Sequence, residues 1–232
     1  MLEVSDLKAF YGHSCALKGV SFNVPEGGFL AVLGRNGVGK TTLMRALLGL
    51  ADRDEGQIVL DGAQLSGLPT HRRAHAGIGY VPQGRGILPT FSVRENLKLG
   101  TFARKSGDDR EIDDRVFELF PMLKEFLDRP GGNLSGGQQQ QLAIARAMLA
   151  RPKVILLDEP AEGIQPNIVE QIEGAITTLN REMGITIVLV EQDISFARRA
   201  SKTFALMEKG QLVASGQIDE LSDELVQRHM AI

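Results

Sequence analysis

Phe29-Leu30-Ala31-Val32-Leu33-Gly34-Arg35-Asn36-Gly37-Val38-Gly39-Lys40-Thr41 is a compact apolar pentapeptide that runs without a break into a glycine-rich loop. Behind the loop, Thr41 to Leu50 carries Leu43, Leu47 and Leu48 at helical spacing and stops at Gly49. Strand, glycine loop, helix is the setting in which Gly34 to Thr41 reads as a phosphate-gripping loop. Glycines let the backbone turn its N–H groups toward an anion, and the helix N-terminus adds a positive dipole end. Lys40 is placed to reach the β- and γ-phosphates of a nucleoside triphosphate, and the Thr41 hydroxyl to act as a magnesium ligand. A glycine-rich turn with a surface lysine is the bland alternative, and the flanking strand and helix argue against it.

Outward from that stretch, the 232-residue chain can bury a full core as one large domain. Apolar residues make up 43% and charged residues 24%, and a net charge of −3 gives no polybasic face for nucleic acid. The single cysteine, Cys15, excludes an internal disulfide framework and reads as a small buried or half-buried side chain. The N-terminus MLEVSDLKAF is charged where a secretory signal would be apolar. The longest apolar run, Ile185 to Val190 with Thr186 inside it, is far short of the ~20 residues of a membrane span. Work at a membrane would therefore go through a partner chain.

Residues 2–7 and 20–24 read as short alternating strands, followed by a turn at Pro25-Glu26-Gly27-Gly28. From Gly84 to Ala150 helical signals replace strand signals, at Arg110 to Phe120 and Gln139 to Ala150. The charged stretch Arg104 to Arg115 reads as a solvated loop and helix start. Val154 to Leu157 is a strand, Asn167 to Met183 a helix with Ile168, Ile172, Ile176 and Leu179 on one face, and Ile185 to Val190 the next strand. Unbroken apolar strands joined through a helix imply a parallel sheet covered on both faces. Glu208-Lys209-Gly210 reads as a hairpin turn between Phe204–Met207 and Gln211–Ala214. The fold class is α/β with a helical insertion.

Two further motifs carry chemistry. Val154 to Leu157 ends in Asp158-Glu159, so Asp158 stands at the tip of a buried strand where it can hold magnesium through water. Glu159 can then polarise an attacking water. Leu134-Ser135-Gly136-Gly137-Gln138 opens a helix with a Ser-x-x-Gln capping box. Capping accounts for Ser135 and Gln138 but not for two glycines, which weaken a helix start. An exposed N-terminus of this kind is also a second anion site, able to face a γ-phosphate held elsewhere.

A phosphate loop, LSGGQ at 134–138 and LLDE at 156–159 together resemble the ATP-binding-cassette (ABC) ATPases over essentially the whole chain. The resemblance implies a RecA-like P-loop NTPase core with a parallel sheet, an N-terminal antiparallel β subdomain and a helical subdomain. It divides a single domain, 1–232, into a core at 1–83 and 151–232 and a helical signature segment at 84–150. It implies ATP and Mg2+ as ligands, with ATP held by Tyr11, Gly34, Arg35, Asn36, Gly37, Val38, Gly39, Lys40, Thr41 and Thr42. Tyr11 would stack on adenine. Magnesium falls to Thr41, Asp158 and Gln83, catalysis to Glu159 and Gln192, and the signature role to Ser135, Gly136, Gly137 and Gln138. The signature would complete ATP held on another ATPase subunit.

Two departures from the family pattern narrow the branch. Gln192 stands where most members carry a switch histidine; it can donate a hydrogen bond but cannot carry a proton. Pro160-Ala161-Glu162-Gly163-Ile164-Gln165-Pro166 replaces the usual SALD-like loop. GRNGVGKTT, YVPQGRGI, the glutamines 138–141, EGIQP, LVEQD and the ending HMAI resemble the shorter ATPase of branched-chain amino-acid and amide importers, most of all the urea-uptake branch. The resemblance implies a second ATPase subunit as partner, a related longer chain or a second copy of this one, together with transmembrane permeases, indirect service to a periplasmic solute-binding protein, and a peripheral place on the cytoplasmic face of a bacterial inner membrane. Gly84 to Asn96 is the candidate permease contact. A branched-chain amino-acid importer is the nearest alternative. A soluble ABC protein remodelling nucleic acid or ribosomes would usually join two cassettes or carry coiled-coil inserts. A P-loop kinase would lack LSGGQ and a glutamate after the metal aspartate.

Overall fold

The computed structural model describes residues 1–104 and 108–230. In chain order the elements are β1 (Leu2–Tyr11), β2 (Ser14–Val24), β3 (Phe29–Leu33), α1 (Lys40–Leu47), β4 (Arg53–Leu60), β5 (Ala63–Gln64), α2 (Thr70–Ala76) and β6 (Ile78–Val81). Then come α3 (Val93–Thr101), α4 (Arg115–Leu119), α5 (Pro121–Glu125), α6 (Gly136–Leu149), β7 (Val154–Asp158), α7 (Pro166–Arg181) and β8 (Thr186–Glu191). The chain closes with α8 (Ile194–Ala200), β9 (Thr203–Glu208), β10 (Gln211–Gln217) and α9 (Asp223–Met230).

Two sheets form. One is antiparallel, in the order β2-β1-β4-β5; the other has the order β10-β9-β3-β8-β7-β6 and is parallel except for the edge hairpin β9–β10. Every residue of β3, β7 and β8 is buried, because the parallel sheet is covered on both faces. Phe29, Ala31, Leu33, Ile155, Leu157, Ile187 and Leu189 face one core with residues of α3, α6, α7 and α8. Leu30, Val32, Leu156, Val188 and Val190 face the second, with α1 and the antiparallel sheet. Alternate side chains thus feed opposite cores, as the two-residue period of a strand requires.

The expected β3, the α1 stop at Gly49, and the β7–α7–β8 unit are present, with β7 and β8 adjacent and parallel. The hairpin turn forms at Lys209 and Gly210, both at positive φ (48° and 81°). Elsewhere the pattern misled. The first two strands are longer than 2–7 and 20–24, because register shifts after Val4, Leu7 and Ala9 break the alternation. The Arg110–Phe120 helix shrinks to α4, since Asp113 takes the Arg115 amide at 3.1 Å and Pro121 starts a new helix. That carboxyl is held at about 2 by the Arg115 guanidinium beside it. Arg104 is not solvated: it is 2% exposed and its Nε donates to the Leu149 carbonyl at 2.7 Å. Residues 105–107 of that charged stretch, and Ala231 and Ile232 of the ending, lie outside the described residues.

Elements β4 and α2 carried weak periodic signals. Most of β4 is half-buried or exposed, and the buried side chain of α2 is Arg73. Its guanidinium, 1% exposed, donates to the carbonyls of Ala46, Leu47 and Leu68 and pairs with Asp54 at 3.1 Å. Arg73 therefore satisfies the carbonyls at the end of α1, the helix behind the phosphate loop. Arg73→Ala should lower unfolding stability by about 3 kcal/mol through loss of a buried pair. Asp54→Ala, which leaves the three carbonyl bonds intact, should cost less. Urea melts of the two variants measure both, and equal costs would contradict this ranking.

Candidate functional site

The parallel register sets the site before any side chain is considered. Leu33 of β3 lies opposite Glu191 of β8, Asp158 of β7 opposite Val190, and Val81 of β6 opposite Leu157. Four loops, starting at Gly34, Glu159, Gln192 and Pro82, therefore leave the sheet side by side at its carboxyl edge, where α/β sheets place their ligand crevices.

The first loop turns through Gly37 and Gly39 at φ of 80° and 116°, conformations that a side chain resists. A Cβ at Gly34 would come within 2.6 Å of the Met207 carbonyl, so that position admits only glycine for a steric reason. The loop delivers Lys40 into the crevice, where it is 4% exposed. Lys40 Nζ donates to the carbonyls of Gly34 (2.8 Å) and Arg35 (3.0 Å) and pairs with Glu159 Oε1 at 2.9 Å. Glu159 adopts φ of 46°, is 7% exposed, and its Oε2 accepts from Gln83 Nε2 at 3.3 Å. The same Gln83 amide donates to Glu162 at 2.8 Å.

Asp158 lies beneath, 1% exposed. The hydroxyls of Thr41 and Tyr80 each donate to one of its oxygens, both at 3.2 Å. Burial raises the Asp158 carboxyl above its usual range, against the lowering effect of those two hydroxyls. Burial, with the Asp158 charge next, raises Tyr80 as well. Tyr80 and Glu162 were missed as site residues; Tyr80 stands in the same YVPQ stretch as Gln83, and Glu162 in the atypical loop after Glu159.

A cleft of about 470 Å³ opens over these groups. Asn36, Gly37, Val38, Gly39, Lys40, Thr41, Thr42, Gln83 and Glu159 line it, with Cys15, Ala16, Lys18, Lys209 and Gly210 on the flank. Gly34 and Arg35 enter through their carbonyls. Tyr11 is not in the lining: it ends β1, with the Arg45 guanidinium 5.9 Å from its ring centre. Gln192 is exposed just beyond β8. Cys15 is half-buried, as expected.

The Ser135 group lies apart from the cleft lining. Ser135 and Gln138 form the capping box at the start of α6. Gly137 has a packing reason that capping did not provide, since a Cβ there would meet Ile168 at 2.4 Å, whereas one on Gly136 would meet only the movable guanidinium end of Arg85 at 2.7 Å. The four glutamines divide their work, with Gln139 bridging Arg85 to the Leu134 carbonyl and Gln141 bonding Gln171.

The donors fit magnesium. One hydroxyl and one carboxylate, both hard oxygens, sit beside the glycine loop, a donor set suited to a cation that keeps other oxygens for most of its shell. Among the described residues no cluster of three or more His, Cys, Asp or Glu side chains could hold a metal by itself.

With this geometry, the match of residues 17–162 to the ABC transporter family model places the chain: it belongs to that family and is an ATP hydrolase of the ABC class. It is 39% identical over 213 residues to the high-affinity branched-chain amino acid transport ATP-binding protein BraG of Pseudomonas aeruginosa, covering 92% of this chain and 91% of that one. It is 35% identical over 224 residues to the probable branched-chain amino acid transport ATP-binding protein LivF of Archaeoglobus fulgidus, covering 95% and 94%. The dimeric post-hydrolysis structure of the ATP-binding cassette MJ0796, bound to ADP and Pi, superposes with a TM-score of 0.84 at 28% identity, over 94% of this chain and 99% of that one.

Because burial raises the Asp158 carboxyl, its contribution to the stability of the nucleotide-free fold is complete below the ordinary carboxylate range and is lost as pH rises through the higher folded value. Asp158→Asn should therefore melt a few degrees above the native chain at pH 8, about 2–4 °C per kcal/mol at this size. The gap should narrow as the pH falls toward 5. A gap that widens toward acid would reverse the assigned sign.

Proposed function

We propose that this chain is the ATP-binding and ATP-hydrolysing subunit of an importer for branched-chain amino acids or a small amide. The buried Lys40–Glu159 pair at the bottom of the cleft is the observation that carries this reading. The amides of Asn36 to Thr42 would cradle the phosphates, and Lys40 would exchange Glu159 for the β- and γ-phosphates. That exchange would free the Glu159 carboxylate to polarise a water in line with the leaving group. Thr41 and Asp158, with Gln83, would hold magnesium, which supplies charge neutralisation on the phosphates when bound. Adenine would leave the cleft along the β1–β2 hairpin toward Tyr11.

Ser135, Gly136 and Gly137, which stand away from the cleft lining, would complete ATP held on a second ATPase, a copy of this chain or a related longer subunit. At this chain's own γ-phosphate, Gln192 would donate a hydrogen bond without carrying a proton. No helix among the described residues is long and apolar enough to cross a membrane, so attachment at the cytoplasmic face would run through permease subunits. Leu88 and Phe91, 39% and 40% exposed, support the 84–96 segment as the contact. A neighbouring apolar groove of about 340 Å³, with Leu48, Leu50, Leu99 and Ala147 in its walls, supports docking at the same face.

For the solute, the near full-length likeness to BraG and LivF supports branched-chain amino acids. Urea rests on the likeness of short motifs alone, among them the glutamines 138–141 and EGIQP. Uptake of labelled leucine and labelled urea by cells lacking this chain separates the two: leucine uptake should fall, and loss of urea uptake alone would overturn that choice.

Lys40→Ala should weaken Mg–ATP binding by about tenfold or more, the loss of a charge-assisted contact, in calorimetric titration at millimolar magnesium. Glu159→Gln should keep ATP affinity and lower turnover by at least about a hundredfold. Unchanged affinity in the first variant, or unchanged turnover in the second, would remove the corresponding role.

A further inference from the structure

Glu191 ends β8 with a carboxylate 5% exposed that the cleft chemistry does not use. Its Oε2 accepts the amides of Gln192 (2.9 Å) and Asp193 (3.2 Å), and its Oε1 accepts the amide of Ala161 at 3.4 Å. One residue earlier, the Val190 carbonyl accepts the amide of Glu159 at 3.0 Å. Two consecutive residues of one strand thus hold the loop after β7 at two points, while the carboxylate also gathers its own loop. Burying an ionised carboxyl is costly, and burial does push the Glu191 carboxyl upward against the lowering effect of the three amides. Leu33, the residue opposite it in register, fills the same rim with an apolar side chain. Packing alone therefore does not call for a glutamate at 191.

The two loops are those that carry Glu159 and Gln192. Glu159 sits at a φ of 46°, a conformation that persists only where surrounding contacts impose it. We propose that Glu191 is a positioning residue whose buried carboxylate clamps the Glu159 loop to the Gln192 loop, so that base and switch-position glutamine face the γ-phosphate at a set spacing. This rests on the roles given above to Glu159 and Gln192. The clamp itself is a statement about three amides and can be tested apart from those roles.

Amide hydrogen exchange of the full chain, native against Glu191→Ala, provides the first readout. The amides of Ala161, Gln192 and Asp193 should exchange about tenfold faster in the variant, the loss of one hydrogen bond each, while those of Gly37 to Thr41 stay unchanged. Glu191→Gln, which keeps one acceptor oxygen, should fall between and guards against a misfolded alanine variant. Unchanged exchange at Ala161 in a folded variant, or a rise spread evenly over the whole chain, overturns the clamp. A turnover cycle adds the functional half. ATP affinity should stay within about twofold in Glu191→Ala while turnover falls, and Gln192→Ala should then cost nothing further. Additive losses overturn the coupling of the two loops. If Gln192→Ala has no effect in the native chain, the role of Gln192 fails, and the exchange experiment still decides the clamp.

Discussion

A lysine and a glutamate, buried 2.9 Å apart at the carboxyl edge of a parallel sheet, are the constraint around which the site is arranged. Neither charge is tolerable there alone, since desolvation of an unpaired ion costs several kcal/mol. Lys40 therefore needs the carbonyls of Gly34 and Arg35 as well as Glu159, and Glu159 needs Gln83 as well as Lys40. These partners come from three loops on three different strands. The pair exists only because β3, β7 and β6 end at the same level, which the parallel register enforces. A triphosphate is the kind of ligand that can replace one member of such a pair, because it brings negative charge to Lys40 as Glu159 is released.

The remaining architecture supports that edge. Strands buried on both faces supply a rigid base, and the two cores behind them hold α1 on one side and α6 and α7 on the other. Arg73 closes the far end of α1, so the helix that follows the glycine loop is fixed at its C-terminus. Steric limits act at the same scale as charge. Gly34 must pass the Met207 carbonyl, and Gly137 must pass Ile168. Gly137 thus has a packing role within this chain in addition to any role toward a second ATPase.

What could be read along the chain was local in origin. β3, the phosphate loop and α1 were legible because an unbroken apolar run, paired glycines and a leucine period occur within a few residues of one another. The Ser135–Gln138 box was legible for the same reason, and the Ser92–Glu95 box of α3 carried an equal signal that went unread. Arg104 shows the opposite limit. A charged run looks solvated in one dimension, yet this guanidinium is buried against the Leu149 carbonyl because α6 passes over it. Tyr11 matched a stacking position by sequence, and in the fold it ends β1 just outside the cleft lining, to which Cys15, Ala16 and Lys18 contribute from the same edge.

By itself the sequence determined the α/β class, the glycine-rich loop between an apolar strand and a helix, and the Asp158-Glu159 pair at the end of an apolar run. Each depends on interactions that span a few residues or one strand. Only the tertiary structure decided that Tyr80 and Thr41 share Asp158, that Gln83 bridges Glu159 and Glu162, and that Glu191 ties two loops together. Those contacts join positions far apart in the chain. Their distances are set by strand order and register, which emerge from burying two cores at once and not from any segment's own propensity.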